Sequence, residues 1–480
     1  MKPRGKQQKV SPKFPQLDLL KSVNNSAPTA ILGAGITGLC IAHSLTKAGQ
    51  KCHLIENSHH VGGAMQSTLE SGYLAEDGPN SILLKDQRVA QLLDQIDLGG
   101  SNIQDARPDS HNRFIVHQGE LCQMPTSPLG MLRSPLFGLR GLLQITKEPF
   151  ISRYHDDQEE SFADFVRRRL GNNMLENGAG PFISGIYAGD PERLSFRHAF
   201  PRLWNIENKH RSMLLGALAI RKGKYRSPHK LSPTRTISFR NGLTELPQAL
   251  AKNLSPNTLK LSANISNIEP RDGGWQISWT DAQGALESTH YQQLVITAPH
   301  HRLSSIPLPE AIIQRLAPVS AIESPPVTSL VLGFRREQVA HPLNGFGMLI
   351  KAAEKSPLLG VLFSSSMFDG RAPDNHVTLT CMMGGTQHPE YAENSDAVVL
   401  AELKKLLGVT GTPTFRHHTH WQHAIPQCNL GYQTPLDALT QCEEIYSGLH
   451  FAGNYRGGIS VTDCIINGLA LGKRLSEEKG

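Results

Sequence analysis

The sequence predicts an α/β fold in which the two ends of the chain build one Rossmann-like dinucleotide-binding domain, with further domains inserted between them. Three observations predict it. A glycine-rich turn joins a short apolar strand to a helix near residue 33. A glutamate ends the next strand, and a strand, a glycine pair and a helix close the chain. At ~150 residues per domain, 480 residues make about three domains and need no disulfide staples.

The formal net charge of +6 is concentrated at the start. Residues 1–27 carry Lys2, Arg4, Lys6, Lys9, Lys13 and Lys21 against Asp18, which leaves a nearly neutral body. A neutral body lacks the basic face that a nucleic-acid backbone needs, so nucleic acid is excluded as a partner. The tail reads as solvated and disordered. It lacks the apolar stretch of a secretory signal, and with one arginine and few serines it makes a poor transit peptide. The seven cysteines are scattered without a CxxC pair, which suggests a reducing compartment and no zinc site. His59-His60 and His300-His301 are adjacent pairs whose rings point apart, so no metal is expected.

The elements follow in order. Thr29 to Leu32 is a strand, Gly33-Ala34-Gly35-Ile36-Thr37-Gly38 the turn, and a helix runs through Ala48 to Gly49. Gly33 permits the tight turn, Gly35 admits a pyrophosphate to the backbone, and Gly38 lets helix and strand approach. Strand Cys52 to Ile55 delivers Glu56, eighteen residues past Gly38, where a carboxylate accepts both ribose hydroxyls. Val61-Gly62-Gly63-Ala64 places a second glycine pair against the same pyrophosphate. Nicotinamide folds seldom need this pair, whereas flavoproteins of the amine-oxidase-like group carry it. The sequence resembles theirs, although they usually follow the pair with Arg where Ala64 stands.

Residues 105–210 look mainly helical, with Ser161 to Leu170 amphipathic. Short strands such as Trp275 to Trp279 and Gln293 to Thr297 occupy 235–304, with a turn at Asp272-Gly273-Gly274. Val327 to Phe334 and His376 to Cys381 suggest a sheet covering the flavin face. Leu449 to Phe451 is a buried strand; Gly457-Gly458 then opens a helix from about Ser460 to Leu475, whose N-terminus favours an anionic reduced flavin. Asp463 suits the dipole of that helix. Gly345-Phe346-Gly347-Met348 lacks a third glycine, so no nicotinamide domain is expected and the electron acceptor is oxygen or a quinone. The segment from Leu129 to Leu143 has a composition suited to a lipid headgroup boundary, or equally to a buried loop.

PFISGIYAGDPERLSFRHAFPRLWNIE (181–207) and FAGNYRGGISVTDCIING (451–468) resemble stretches of the FAD-dependent, oxygen-consuming protoporphyrinogen oxidases of haem and chlorophyll synthesis. EDGPNSIL (76–83), HNRFIVHQGEL (111–121), HPLNGFGMLI (341–350), LGVLFSSSMFDGRAP (359–373) and WQHAIPQ (421–427) extend the resemblance, which runs from about residue 29 to 475. It implies a p-hydroxybenzoate-hydroxylase-type FAD domain, a substrate domain over the flavin and a helical membrane-associating domain. The corresponding division is a tail (1–27), FAD domain (28–104, 235–304 and 440–480), membrane-associating domain (105–210) and substrate domain (211–234 and 305–439).

The resemblance also implies residue roles. Arg113 pairs with a substrate propionate. Leu349, Leu362 and Met382 sandwich the porphyrinogen, with Met382 standing where the plant enzymes have Phe. Phe182 and the Gly185 carbonyl face the macrocycle, and Asn80 sits at the flavin–substrate junction. FAD is held by Gly33, Gly35, Ile36, Thr37, Gly38, Glu56, Gly62, Gly63, Ala64, Gly78, Pro79, Ile265, Trp421, Gly453, Asn454, Gly458, Ile459 and Val461. The implied activity is oxidation of protoporphyrinogen IX with oxygen, releasing hydrogen peroxide. A coproporphyrinogen III oxidase, another flavin oxidase and a silent flavoprotein scaffold are the alternatives. The expected location is cytoplasmic, peripheral on the inner membrane, with a mitochondrion or plastid as the alternative and a homodimer as a compatible assembly.

Overall fold

The computed structural model describes residues 28–154, 159–221, 229–393 and 396–478. The basic tail, with its expected disorder, lies outside the described residues. A five-stranded parallel sheet organises the cofactor domain, in the order Leu259–Lys260, Cys52–Ile55, Thr29–Leu32, Gln293–Ile296, Leu449–Phe451. Strands from the beginning, middle and end of the chain are therefore direct neighbours. Thr29–Leu32, at the centre, is buried throughout, as a parallel strand covered on both faces must be.

One face of this sheet is covered by the helix Ile36–Lys47, which packs closely against the C-terminal helix Val461–Glu477. Two glycines permit that contact. A Cβ on Gly468 would stand 2.7 Å from the Thr37 carbonyl oxygen, and one on Gly472 would stand 2.6 Å from Ser44 Cβ. The opposite face carries an antiparallel sheet of Asn264–Arg271, Gly274–Thr280 and Leu286–Tyr291, anchored by buried Trp275, Trp279 and Tyr291. The turn at Asp272 and Gly273 takes both residues to positive φ, 48° and 74°, as a two-residue hairpin demands.

The second large layer is a seven-stranded sheet in the order Phe415–Trp421, Val327–Arg335, His376–Gly384, Leu358–Leu362, Gly347–Ile350, Arg113–His117, Glu120–Gln123. One of its faces packs on the helix Asp396–Leu407 through Val399, Leu403 and Leu407. The other face lies towards the cofactor domain. This corrects the expectation that the helical region starts at residue 105: Arg113–His117 and Glu120–Gln123 are strands of this sheet. Phe114 and Val116 turn to the core under the sheet and Ile115 is buried on the opposite face, so the centre of the strand is apolar throughout and the alternation that marks a strand is weak.

The helical unit comprises Pro128–Arg133, Gly138–Lys147, Phe162–Leu170, Pro201–His210 and Met213–Arg221, with π-helical turns at Leu175–Ala179 and Ile183–Tyr187. Ser161 caps Phe162–Leu170 by accepting from the Asp164 N–H. Met213–Arg221 packs on Pro201–His210, so this helix joins the helical unit, where residues 211–234 were expected to begin the substrate domain. Pro135 splits the 129–143 segment into two short helices that leave Leu129, Leu132, Leu139 and Leu143 exposed. Among the described residues, no helix is long and apolar enough to cross a membrane.

The glycine contacts between the two terminal helices make a definite prediction. Gly472→Leu should force those helices apart, destabilise the fold by about 1–3 kcal/mol and lower the thermal unfolding midpoint. The same substitution at Gly273, where a Cβ meets nothing within 4 Å but φ is positive, should cost backbone strain and leave the helix contact intact. Calorimetry with circular dichroism compares the two.

Candidate active site

The cradle for a dinucleotide forms where the central strand meets its helix. Gly33 turns at φ 107° and donates to the Ile55 carbonyl at 2.8 Å. A Cβ at Gly38 would fall 2.0 Å from the Gly33 carbonyl oxygen, so only glycine fits. At Gly35 a Cβ would meet nothing within 4 Å, and no side chain caps the helix that starts at Ile36. The first-turn N–H groups of Ile36 and Thr37 thus face open space where a pyrophosphate fits. Gly62 donates to the Ala34 carbonyl at 2.8 Å and pairs with Gly35, which brings Gly62, Gly63 and Ala64 to the same place.

Glu56 is held rigidly at the ribose end. Its carboxylate accepts from the Ala34 N–H at 2.7 Å and the Ser58 N–H at 2.8 Å, leaving lone pairs for two hydroxyls. Its backbone carbonyl accepts from Ala263 at 2.9 Å, which places the strand bearing Ile265 beside it. The loop of Gly78 and Pro79 closes on the glycine pair, since a Cβ at Gly78 would stand 2.3 Å from the Ala64 carbonyl oxygen. From the far end, Gly453, Asn454, Gly458 and Ile459 lead into the helix beginning at Val461. Ser460 caps it by accepting from the Asp463 N–H at 3.1 Å, and Asp463 pairs with Lys85 at 3.1 Å. The dipole-matching role expected of Asp463 fits this placement.

Strand register builds the facing wall. Arg113 aligns with Gly347, Gly347 with Leu362, and Leu362 with Thr380. In the next row of the same face, Ile115 aligns with Leu349, Leu349 with Gly360, Gly360 with Met382, and Met382 with Ser329. Residues paired across strands present their side chains on one face, so Arg113, Leu349, Leu362 and Met382 share it. Gly347 and Gly360 allow close approach of the strands on that face, since a Cβ would stand 2.3 Å from the Val361 carbonyl oxygen at Gly347 and 2.7 Å from that of Met348 at Gly360. Ser329 Oγ on it is buried without a hydrogen-bond partner in the protein. Arg113 is exposed, lies over the Phe346 ring at 4.9 Å, and meets no carboxylate among the described residues.

The π-helical turn Ile183–Tyr187 closes over this wall. A Cβ at Gly185 would lie 2.3 Å from Leu349 Cδ2, so Gly185 is the point of closest approach, while Phe182 is 40% exposed beside it. Asp77 is one of the points that fasten the wall to the cradle. Asp77 accepts from Thr419 at 3.0 Å, contacts His417 Nε2 at 2.5 Å, and receives the Trp421 indole N–H on its carbonyl at 2.7 Å. Trp421 was expected against the cofactor; Asp77, His417 and Thr419 were not singled out, and their presence within EDGPNSIL and beside WQHAIPQ was the available signal. Asn80 donates to the Gly78 carbonyl at 3.1 Å and lines a small polar cavity. A second unforeseen pair, Glu76 with Arg371, lies in that cavity.

Residues 36–470 match the family model described as flavin containing amine oxidoreductase. The chain belongs to this family. As a member it is a flavoprotein oxidoreductase with FAD as cofactor, and the glycine cradle, the Glu56 carboxylate and the uncapped helix N-terminus fit that group. The chain is 31% identical to protoporphyrinogen oxidase 2, chloroplastic/mitochondrial, of Arabidopsis thaliana over 92% of each chain. It is 26% identical to coproporphyrinogen III oxidase of Bacillus subtilis, over 92% of this chain and 96% of that one. A crystal structure from Exiguobacterium sp. 255-15, described as a candidate protoporphyrinogen oxidase, superposes with a TM-score of 0.78 at 21% identity, covering 94% and 99% of the two chains. The porphyrinogen-oxidase resemblance read from the motifs therefore extends over nearly the whole molecule.

Loss of the ribose acceptor gives a direct test of the cradle. Glu56→Ala should weaken FAD binding by about tenfold or more, the value of a charge-assisted hydrogen bond, with little change in secondary structure. Flavin retained after dialysis, measured by absorbance, reports it.

Proposed function

We propose that the protein oxidises protoporphyrinogen IX to protoporphyrin IX with oxygen as acceptor, releasing hydrogen peroxide. The observation that carries this reading is the single sheet face on which Arg113, Leu349, Leu362 and Met382 converge opposite Gly185. The apolar side chains of Leu349, Leu362 and Met382, with the Arg113 guanidinium at their margin meeting no carboxylate among the described residues, suit a large flat ring bearing carboxylates. When bound, FAD supplies a two-electron acceptor that oxygen can reoxidise.

The chain's residues hold the substrate and exclude water. The Arg113 fork offers two parallel hydrogen bonds to a propionate, and its stacking on Phe346 restricts the guanidinium before substrate arrives. Leu349 and Leu362 cover one ring face. Met382 contributes a polarizable thioether where an aromatic ring would stack. Gly185 lets the π-helical turn close against Leu349, since any side chain there would collide with it. The positive end of the helix starting at Val461 favours negative charge at the cofactor.

The coproporphyrinogen reading draws on the Bacillus subtilis relative. Four carboxylates would call for further free cations, yet Lys351, further along the strand of Leu349, is engaged by His117 at 2.5 Å and Asn177 at 3.1 Å. This favours the substrate with two propionates. The exposed leucines at 129–143 support peripheral contact with a membrane through the helical unit.

Aerobic incubation with each porphyrinogen, followed by porphyrin fluorescence and peroxide, tests the reading. A gain with protoporphyrinogen above autoxidation is expected; no gain with either substrate overturns the proposal. Arg113→Ala should raise KM by about 10–100-fold with FAD content unchanged, and an unaltered KM would remove Arg113 from the site.

A further inference from the structure

Beside Leu362, on the same side of the sheet as the substrate wall, lies a small cavity of about 10 Å³, the size that admits a single water. Glu76, Asn80, Ser364, Arg371 and Thr380 supply its polar lining, and Leu74, Met367 and Phe368 the apolar remainder. It borders the wall on one side, because Thr380 is in register with Leu362 and its hydroxyl contacts Ser364 Oγ at 2.8 Å. On the other side stands Glu76, only 4% exposed. Its carboxyl is supported by the Ser67 hydroxyl at 2.5 Å and by the Leu243 N–H at 3.1 Å.

The obvious counter-ion does not neutralise this carboxyl fully. Arg371 is itself 2% exposed and approaches Glu76 Oε1 at 3.6 Å, but its short hydrogen bond goes to Ser238 Oγ at 2.5 Å, with longer contacts to the Phe239 carbonyl. The neighbouring Asp77, held by His417 and Thr419, adds a second negative charge, while Glu245 lies near enough to act on Arg371. Burial is the largest influence and, with Asp77, outweighs Ser67, Arg371 and Leu243, pushing the Glu76 carboxyl up to about 7.

We propose that Glu76, reached through the cavity and the Thr380–Ser364 hydroxyl pair, stores the proton that each oxidation step releases. This rests on the porphyrinogen reading. In each of three steps the substrate loses two electrons and two protons; one proton leaves with the electron pair as a hydride equivalent from a meso carbon, and the other leaves as H⁺, over the three steps from two pyrrole N–H groups and the fourth meso carbon. Oxygen takes up two electrons and two protons to become hydrogen peroxide, so the stored proton is returned within the same cycle. Glu76 touches no substrate and acts through the hydroxyls and the cavity, which makes it a positioning residue for the proton.

The sign of the pH dependence follows. Glu76 accepts a proton only when ionised, so flavin reduction by substrate in anaerobic single turnover should accelerate as pH rises through about 7. In Glu76→Gln the reduction should slow at least about tenfold and lose this dependence, with KM and FAD content unchanged, while Glu76→Asp restores part of both. Thr380→Val, which keeps the shape and removes the hydroxyl, should show the same change more weakly and serves if Glu76→Gln fails to fold. Infrared difference spectra of the holoenzyme between pH 6 and 8 should show a protonated-carboxyl band that Glu76→Gln lacks. A native enzyme that turns over porphyrinogen while its Glu76→Gln variant keeps the native pH profile overturns the relay alone. A native holoenzyme that shows the band but is reduced by no porphyrinogen overturns the substrate reading and, with it, the relay's role.

Discussion

The molecule depends on one close contact, the packing of the helix Ile36–Lys47 against the helix Val461–Glu477. Gly468 and Gly472 remove two side chains where Thr37, Cys40, Ile41 and Ser44 press nearest, and backbone meets backbone. Without it, the strand Leu449–Phe451 would still have a sheet edge to join, but the positive end of the last helix would have no fixed relation to the glycine turn. With it, two helix N-termini separated by more than four hundred residues are fixed relative to one another. Burial of Leu39, Cys40, Cys464 and Ile465 between these helices supplies the hydrophobic reward for bringing the chain ends together.

The insertions then hang from this frame at a few polar points. Asp77 leaves the cofactor domain and fastens the seven-stranded sheet through His417, Thr419 and Trp421. One residue earlier, Glu76 reaches the loop after Ser364–Met367 through Arg371. Two adjacent acids thus serve different ends. Asp77, partly accessible, is satisfied by strong donors and fixes the wall. Glu76, buried and incompletely balanced, remains able to change its protonation.

The helical unit shows the contrasting use of buried charge. Arg169 is fully buried and spends its guanidinium on Glu207, at 2.8 and 2.5 Å, and on Glu148 at 3.2 Å, while Glu148 also accepts from Ser212 and Met213. Such a network costs desolvation and offers little net stability, but every partner is geometrically specified. It locks Phe162–Leu170, Pro201–His210 and the start of Met213–Arg221 into one body. That body holds the π-helical turn carrying Gly185 at a defined height above Leu349.

The sequence by itself determined the cofactor domain, because its features are local. Strand, glycine turn, helix and acid follow within Thr29 to Glu56, and backbone sterics together with a helix dipole explain each position without reference to the rest of the fold. Family motifs likewise marked Arg113, Leu349, Leu362 and Met382, but not that they occupy one face. Only the tertiary structure decided that, since register between strands more than two hundred residues apart is set by long-range pairing and by the core under the opposite face. The same reason hid the strands at 113–123, the first of which has an apolar centre that weakens its alternation. It also hid the Glu76–Arg371 cavity, where two residues in separate motifs acquire their chemistry from burial, a property that exists only once the chain has folded.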